Sequence, residues 1–128
     1  MTTTGQAIDP NGVDHPHHYN NHPSGVECIE IIRHMTFDTG CVFKYLFRYT
    51  DKDGAKDLKK ARWYMNDMIK SKVLLDHRLP THVLNLLNRV FIAEQDPKLK
   101  VVWGAFLMYL KNPSPHRLQE VAQAVSRI

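Results

Sequence analysis

Twice in its last third the chain sets a capping side chain directly before proline, at Asp96-Pro97 and at Ser114-Pro115. Proline at the first helical position loses nothing, because its missing N–H would be unpaired there in any case. An Asp or Ser just before it accepts from the open amides of the first turn. Two such starts commit the end of the chain to helices, the first closing before Asn112-Pro113 and the second running to the C-terminus. The rest of the text agrees. Ser24 with Glu27 fits a capping box for a helix to about Met35, and Asp38 is a candidate N-cap for a helix over about 39–50. Asp53 is a candidate cap for a long helix over about 55–76, and another helix is expected over 81–93. No apolar/polar alternation, Asn-Gly hairpin or internal repeat suggests strands. The expected fold is all-α, a compact bundle of about five to six helices with a flexible N-terminal arm. The arm is expected to be disordered over 1–13. A helical domain follows over 14–76, and a C-terminal helical extension over 80–128 packs on it or forms an interface.

Composition narrows the function classes. The 128 residues are 43% hydrophobic and 23% charged, values of an ordinary globular chain rather than a disordered or fibrous one. The longest apolar stretch, Val101 to Leu110, is half a membrane span, so no membrane partner is expected. Met1-Thr2-Thr3-Thr4 lacks the basic flank and apolar core of a secretory leader. Cys28 and Cys41 form no CxxC pair and read as reduced thiols, which suits a cytoplasmic setting. A net charge of +4 suits an anionic small ligand. Nucleic acid is disfavoured, because basic residues alternate with acids through the third helix. The charge is unevenly spread: residues 1–79 hold 11 basic and 10 acidic side chains, residues 80–128 only 6 and 3. The polar candidates therefore sit in the first part.

Lys44, Arg48 and Lys52 recur every four residues and would form one cationic row if the second helix extends that far. Phosphate needs several donors converging from a rigid surface, and Arg offers a planar fork to two oxygens. The same row also suits a solvated face. Glu27 and Glu30 are three apart on a helix, a spacing that can chelate a divalent ion or hold a hydroxyl or base edge. It equally suits an ion pair with Lys44 or Arg48. The third helix offers Asp57 among lysines but no second carboxylate pair, so no metal site is assigned. His15, His17, His18 and His22 crowd the arm, without a cysteine and without the spacing of a zinc site. A single functional histidine is the simpler reading: His18 touching phosphate, with Tyr19 stacking on a base. Tyr45, Tyr49, Trp63 and Tyr64 can serve as base-stacking rings or as core. The glycine-rich phosphate loops are missing, and so is a Gly-x-Ser-x-Gly turn.

Four motifs occur in a characteristic order: Pro16-His17-His18-Tyr19; Val26-Glu27-Cys28-Ile29-Glu30-Ile31-Ile32; Gly40 with Lys44-Tyr45 and Arg48; and Asp57-Leu58-Lys59-Lys60-Ala61 with Trp63-Tyr64. Over about residues 14–72 the chain thereby resembles a small bacteriophage nucleotide-kinase-like family that lacks a Walker motif and includes an early protein of phage T7. The resemblance implies phosphoryl transfer to deoxynucleoside monophosphates such as dTMP and dGMP, with a nucleoside triphosphate as donor and no obvious requirement for added divalent metal. It also implies a homo-oligomer in the cytoplasm of an infected bacterial host. The matched positions are His18, Tyr19, Glu27, Glu30, Lys44, Tyr45, Arg48, Lys52, Asp57, Lys60 and Tyr64. Cys41 stands where the family has Asn, and Thr50 where it usually has Gly.

Phosphoryl transfer asks a protein mainly for positioning and charge neutralisation. On that basis His18, Lys44 and Arg48 are the expected catalytic residues. Tyr19, Glu27, Glu30, Tyr45, Lys52, Asp57, Lys60 and Tyr64 are the expected substrate contacts. Two alternatives stay open. One is a helical, metal-dependent nucleoside triphosphate pyrophosphatase, and the other a non-catalytic phage accessory protein that binds a nucleotide or a host protein. The Ile-rich first helix is expected to need cover from a subunit interface.

Overall fold

A computed structural model describes residues 22–50, 54–72 and 78–128, and among them the chain is helical and without strands. The helices are α1 (Cys28–Ile32), α2 (Phe37–Arg48), α3 (Gly54–Ser71), α4 (Thr81–Ala93), α5 (Pro97–Lys111) and α6 (Pro115–Ser126). The all-α reading holds. The arm over 1–13, His15, His17, His18, Tyr19 and Lys52 lie outside the described residues.

The two proline starts form as their chemistry dictates. The Asp96 carboxylate accepts from the amides of Lys98 at 2.9 Å and Leu99 at 3.2 Å. The Ser114 hydroxyl accepts from the Arg117 amide at 3.1 Å. Helix α4 keeps its expected bounds.

Other ends differ, each for a local reason. α1 starts at Cys28, not beside Ser24. Gly25 has φ +76°, a left-handed conformation through which no helix can run. Ser24 instead belongs to a turn closed by the Gly25 amide on the His22 carbonyl at 3.0 Å. The capping box forms one frame later: Glu27 is the N-cap, and its own amide donates to Glu30 Oε1 at 2.8 Å. After Ile32 the chain tightens into i→i+3 bonds from His34 to Ile31 and Met35 to Ile32, so the helix stops short of Met35.

α2 starts two residues early, with Thr36 as N-cap and Asp38 in the first turn, where a carboxylate complements the helix dipole. It ends at Arg48. α3 begins at Gly54, where a Cβ would stand 3.1 Å from the Tyr49 carbonyl; glycine permits this close approach to the end of α2. α3 ends at Ser71 because Lys72 turns left-handed, at φ 55°.

The apolar faces meet in one core with contributions from every helix. Its centre is aromatic. Phe43 lies 5.0 Å from Trp103 and 5.8 Å from Phe106, centroid to centroid, with Phe47 against Phe43 and Trp103. Trp103, Tyr109 and Phe43 are fully buried, each removal from water being worth roughly 1.5–3 kcal/mol or more. The C-terminal helices thus share the core of the first three. Ile31 of α1 is fully covered by the chain itself, while Ile29 keeps 47% of its surface exposed. α2 and α3 pack along their length, α1 rests between α2 and α4, and α3 reaches α6. No described helix is long and apolar enough to cross a membrane.

Candidate functional site

Residues 38, 41, 45 and 48 recur every three or four positions on α2 and so share one face; residues 57, 60, 64 and 67 do the same on α3. The two helices run antiparallel and these faces meet as a ladder. At the turn end, Arg48 Nε donates to Asp57 Oδ2 at 3.0 Å. Next, Tyr45 stacks on Tyr64 at 6.0 Å, with Lys60 Nζ 5.3 Å from the Tyr45 ring centroid. Beyond it Cys41 lies beside Tyr64, and at the far end the Asp38 and Asp67 carboxyls face each other. Lys44 leans onto the same ring as Lys60, its Nζ 4.8 Å from the Tyr45 centroid.

The middle of the ladder brings together Lys44, Tyr45, Lys60 and Tyr64, four of the residues expected from sequence. Two ammonium groups converge there on one aromatic ring, an arrangement worth about 0.5–1 kcal/mol per contact at exposed positions. It leaves N–H donors for an incoming anion. Around it lie exposed rings: Phe37, 74% exposed and edge-on to Tyr64 at 5.9 Å, and Trp63, 63% exposed and edge-on to Tyr64 at 5.0 Å. A cleft of about 420 Å³ opens beside Trp63, lined also by Asn66, Asp67, Ile69 and Lys70.

The acidic end has its own electrostatics. Partial burial, then the hydrogen bond to Asp67 and its charge, push the Asp38 carboxyl up to about 6. Burial also raises both thiols, that of Cys28 to about 12, so neither is a ready nucleophile.

Arg48 and Asp57 sit deeper than a ligand contact would. Their side chains are 14% and 1% exposed, and Asp57 Oδ1 has no hydrogen-bond partner among the described residues. The pair closes the turn end of the hairpin. The expected row of Lys44, Arg48 and Lys52 is therefore not one outward row: α2 ends at Arg48, Lys44 lies on Tyr45, and Arg48 turns inward to Asp57. Glu27 and Glu30 stand apart from the ladder, engaged in the capping box of α1. Among the described residues no three His, Cys, Asp or Glu side chains gather as a metal site.

A second polar cluster was not visible in the sequence. His22 Nε2 meets Glu94 Oε1 at 3.0 Å, and the same oxygen accepts from Trp103 Nε1 at 2.6 Å. Glu94 Oε2 accepts from the amides of Gln95 and Asp96. The Ser24 amide donates to His22 Nδ1 at 3.1 Å, so Nε2 is the ring nitrogen that donates to Glu94. His22 stacks on Phe47 at 5.2 Å. Despite its burial, Glu94 is held below the usual carboxylate range by the hydrogen bonds from His22, Trp103 and the Asp96 amide. With every described donor matched, this cluster fastens the start of the described chain to the corner between α4 and α5. His22 and Glu94 are 72 residues apart, and no local pattern links them.

Residues 13–66 match a family model described as a protein of unknown function (DUF3310), a stretch that takes in α1, α2 and most of α3. No curated protein and no solved structure matches the chain.

Proposed function

We propose that the outward face of the α2–α3 hairpin binds a nucleoside phosphate, and that the protein is a (deoxy)nucleoside monophosphate kinase working without a P-loop. The observation that carries this reading is the convergence of the Lys44 and Lys60 ammonium groups on the stacked Tyr45–Tyr64 pair. In such a reaction an oxygen of the monophosphate attacks the terminal phosphorus of the triphosphate donor, and the bond to the leaving diphosphate breaks. Charge on the transferred group must be neutralised as this happens. Lys44 and Lys60 supply that charge from a rigid helical surface, and Tyr64 offers ring area to the base. Arg48, held by Asp57, fixes the two helices in register. His18, Tyr19 and Lys52 are further contacts under the resemblance. The same reading places the chain in nucleotide metabolism in the cytoplasm of an infected bacterium, as a homo-oligomer.

One observation favours a second reading, nucleotide binding without turnover. The Arg48 guanidinium, the strongest candidate for transition-state charge, is already engaged inside the molecule. A product assay separates the readings. Purified protein given dTMP or dGMP and a nucleoside triphosphate, with and without chelator, is expected to form the deoxynucleoside diphosphate. Monophosphate plus pyrophosphate from the triphosphate alone, lost with chelator, would indicate a pyrophosphatase. Saturable binding with no product would indicate the accessory role.

A further inference from the structure

The alternation of bases and acids along α3 is a property of the sequence that the fold undoes. Asp57 is turned into the interior under Arg48, and Asp67, which lines the edge of the cleft beside Trp63, has the Asp38 carboxyl next to it on the α2 side. The core side of α3 is Asp57, Ala61, Met65 and Met68. Opposite to it, Lys56, Lys59, Trp63, Asn66 and Lys70 recur at helical spacing, and all five are exposed. This outward stripe contains three lysines and no acid. It runs about 21 Å, at 1.5 Å per residue, longer than one nucleotide needs. At its centre Trp63 shows 63% of its surface to solvent, and Phe37, like Trp63 edge-on to Tyr64, shows 74%.

We propose that this stripe of α3 is a binding surface for single-stranded nucleic acid, with Lys56, Lys59 and Lys70 on successive phosphates and Trp63 stacked on an unpaired base. A row of cations spaced along a rigid element follows a polyanion, and an exposed indole between them offers the flat face that an unpaired base requires. A duplex keeps its bases stacked on each other and leaves the indole without a partner. A membrane surface would call for a row of exposed aliphatic side chains beside the indole, and among the residues lining the cleft beside Trp63 Ile69 alone is aliphatic, and half-buried. The stripe adjoins the Lys44–Tyr45–Lys60 face, with Trp63 edge-on to Tyr64 at 5.0 Å, and the Lys56, Lys59 and Lys70 variants test it apart from that face.

The test is fluorescence anisotropy of the full chain with labelled single-stranded oligo(dT) or oligo(U), with the matching duplex and anionic phospholipid vesicles as comparisons. Single strands are expected to bind more tightly than either comparison. The logarithm of affinity should fall against the logarithm of salt with a slope of about −2, three phosphate contacts at about −0.7 each. Trp63→Ala should weaken binding about tenfold or more, the usual effect of losing one base–ring stack, and Trp63→Phe should restore most of it. Lys56→Gln with Lys59→Gln and Lys70→Gln should abolish the salt dependence. Because Trp103 is fully buried, quenching of indole emission on binding reports Trp63. All these positions are exposed, so the variants fold as the parent does. Absence of binding at low salt, equal binding by Trp63→Ala, or equal preference for duplex or vesicles would overturn the proposal.

Discussion

Arg48 and Asp57 belong together because of where they sit. Each alone reads as a ligand contact, an arginine four residues after a lysine and an acid among lysines. Which partner each meets depends on the antiparallel register of two helices, and helical spacing does not specify that register. The consequence is testable. Arg48→Ala leaves the Asp57 charge buried and unpaired, and is expected to destabilise the protein by about 3–5 kcal/mol in chemical denaturation. Replacing both, as Arg48→Met with Asp57→Leu, should recover most of that loss. If Arg48→Ala keeps wild-type stability, the pair is not what holds the turn end of the hairpin.

The Asp38–Asp67 pair carries a pH dependence of definite sign. With its carboxyl raised from the ordinary 3.8 to about 6, folded Asp38 holds a proton that the unfolded chain has released. Stability therefore falls as pH rises from about 4 to about 6, and stays lower above. Asp38→Asn should stabilise the protein at pH 7 by up to about 1 kcal/mol once solvent screening is allowed for, and bring no gain at pH 4. Glu94 has the opposite sign: its contribution is present above the ordinary carboxylate range and disappears as pH falls below it. Thermal melts of Asp38→Asn and Glu94→Gln across pH 3 to 8 separate these contributions.

At the scale of elements, the legible parts were those settled by neighbouring residues. Asp96-Pro97 and Ser114-Pro115 cap their helices through bonds reaching no further than three residues, so the sequence alone suffices. Asp96→Ala should cost about 1 kcal/mol, and Ser114→Ala about the same, read as a lowered melting temperature with the fold intact. At α1 two capping frames overlap, Ser24 with Glu27 and Glu27 with Glu30, both spaced by three. The left-handed Gly25 decides for the second, and that conformation follows from the turn with His22, which spacing does not reveal. The end of α3 was similarly hidden, because Lys72 is not a residue type that announces a left-handed stop.

At the scale of the whole molecule, apolar periodicity was enough for an all-α bundle, because each amphipathic helix has only another helix to bury against. It was not enough for the contacts that tie distant parts together. The His22–Glu94–Trp103 cluster joins the segment before α1 to the corner between α4 and α5 through side chains that are individually unremarkable in sequence. Glu94→Ala would strand the Trp103 N–H and the His22 N–H together, at roughly 1–3 kcal/mol for each unmet donor. The proposed site lies between these extremes. Lys44, Tyr45, Lys60 and Tyr64 were legible as candidates, and the hairpin register explains why they meet.

The most direct measurement of the central claim is calorimetric titration of the folded protein with dTMP and dGMP, wild type against Lys44→Gln/Lys60→Gln. The account predicts saturable binding by the wild type and a loss of at least about tenfold in the double variant, as expected when two charge-assisted phosphate contacts are removed. No saturable binding by the wild type, or equal affinity in the double variant, would contradict it.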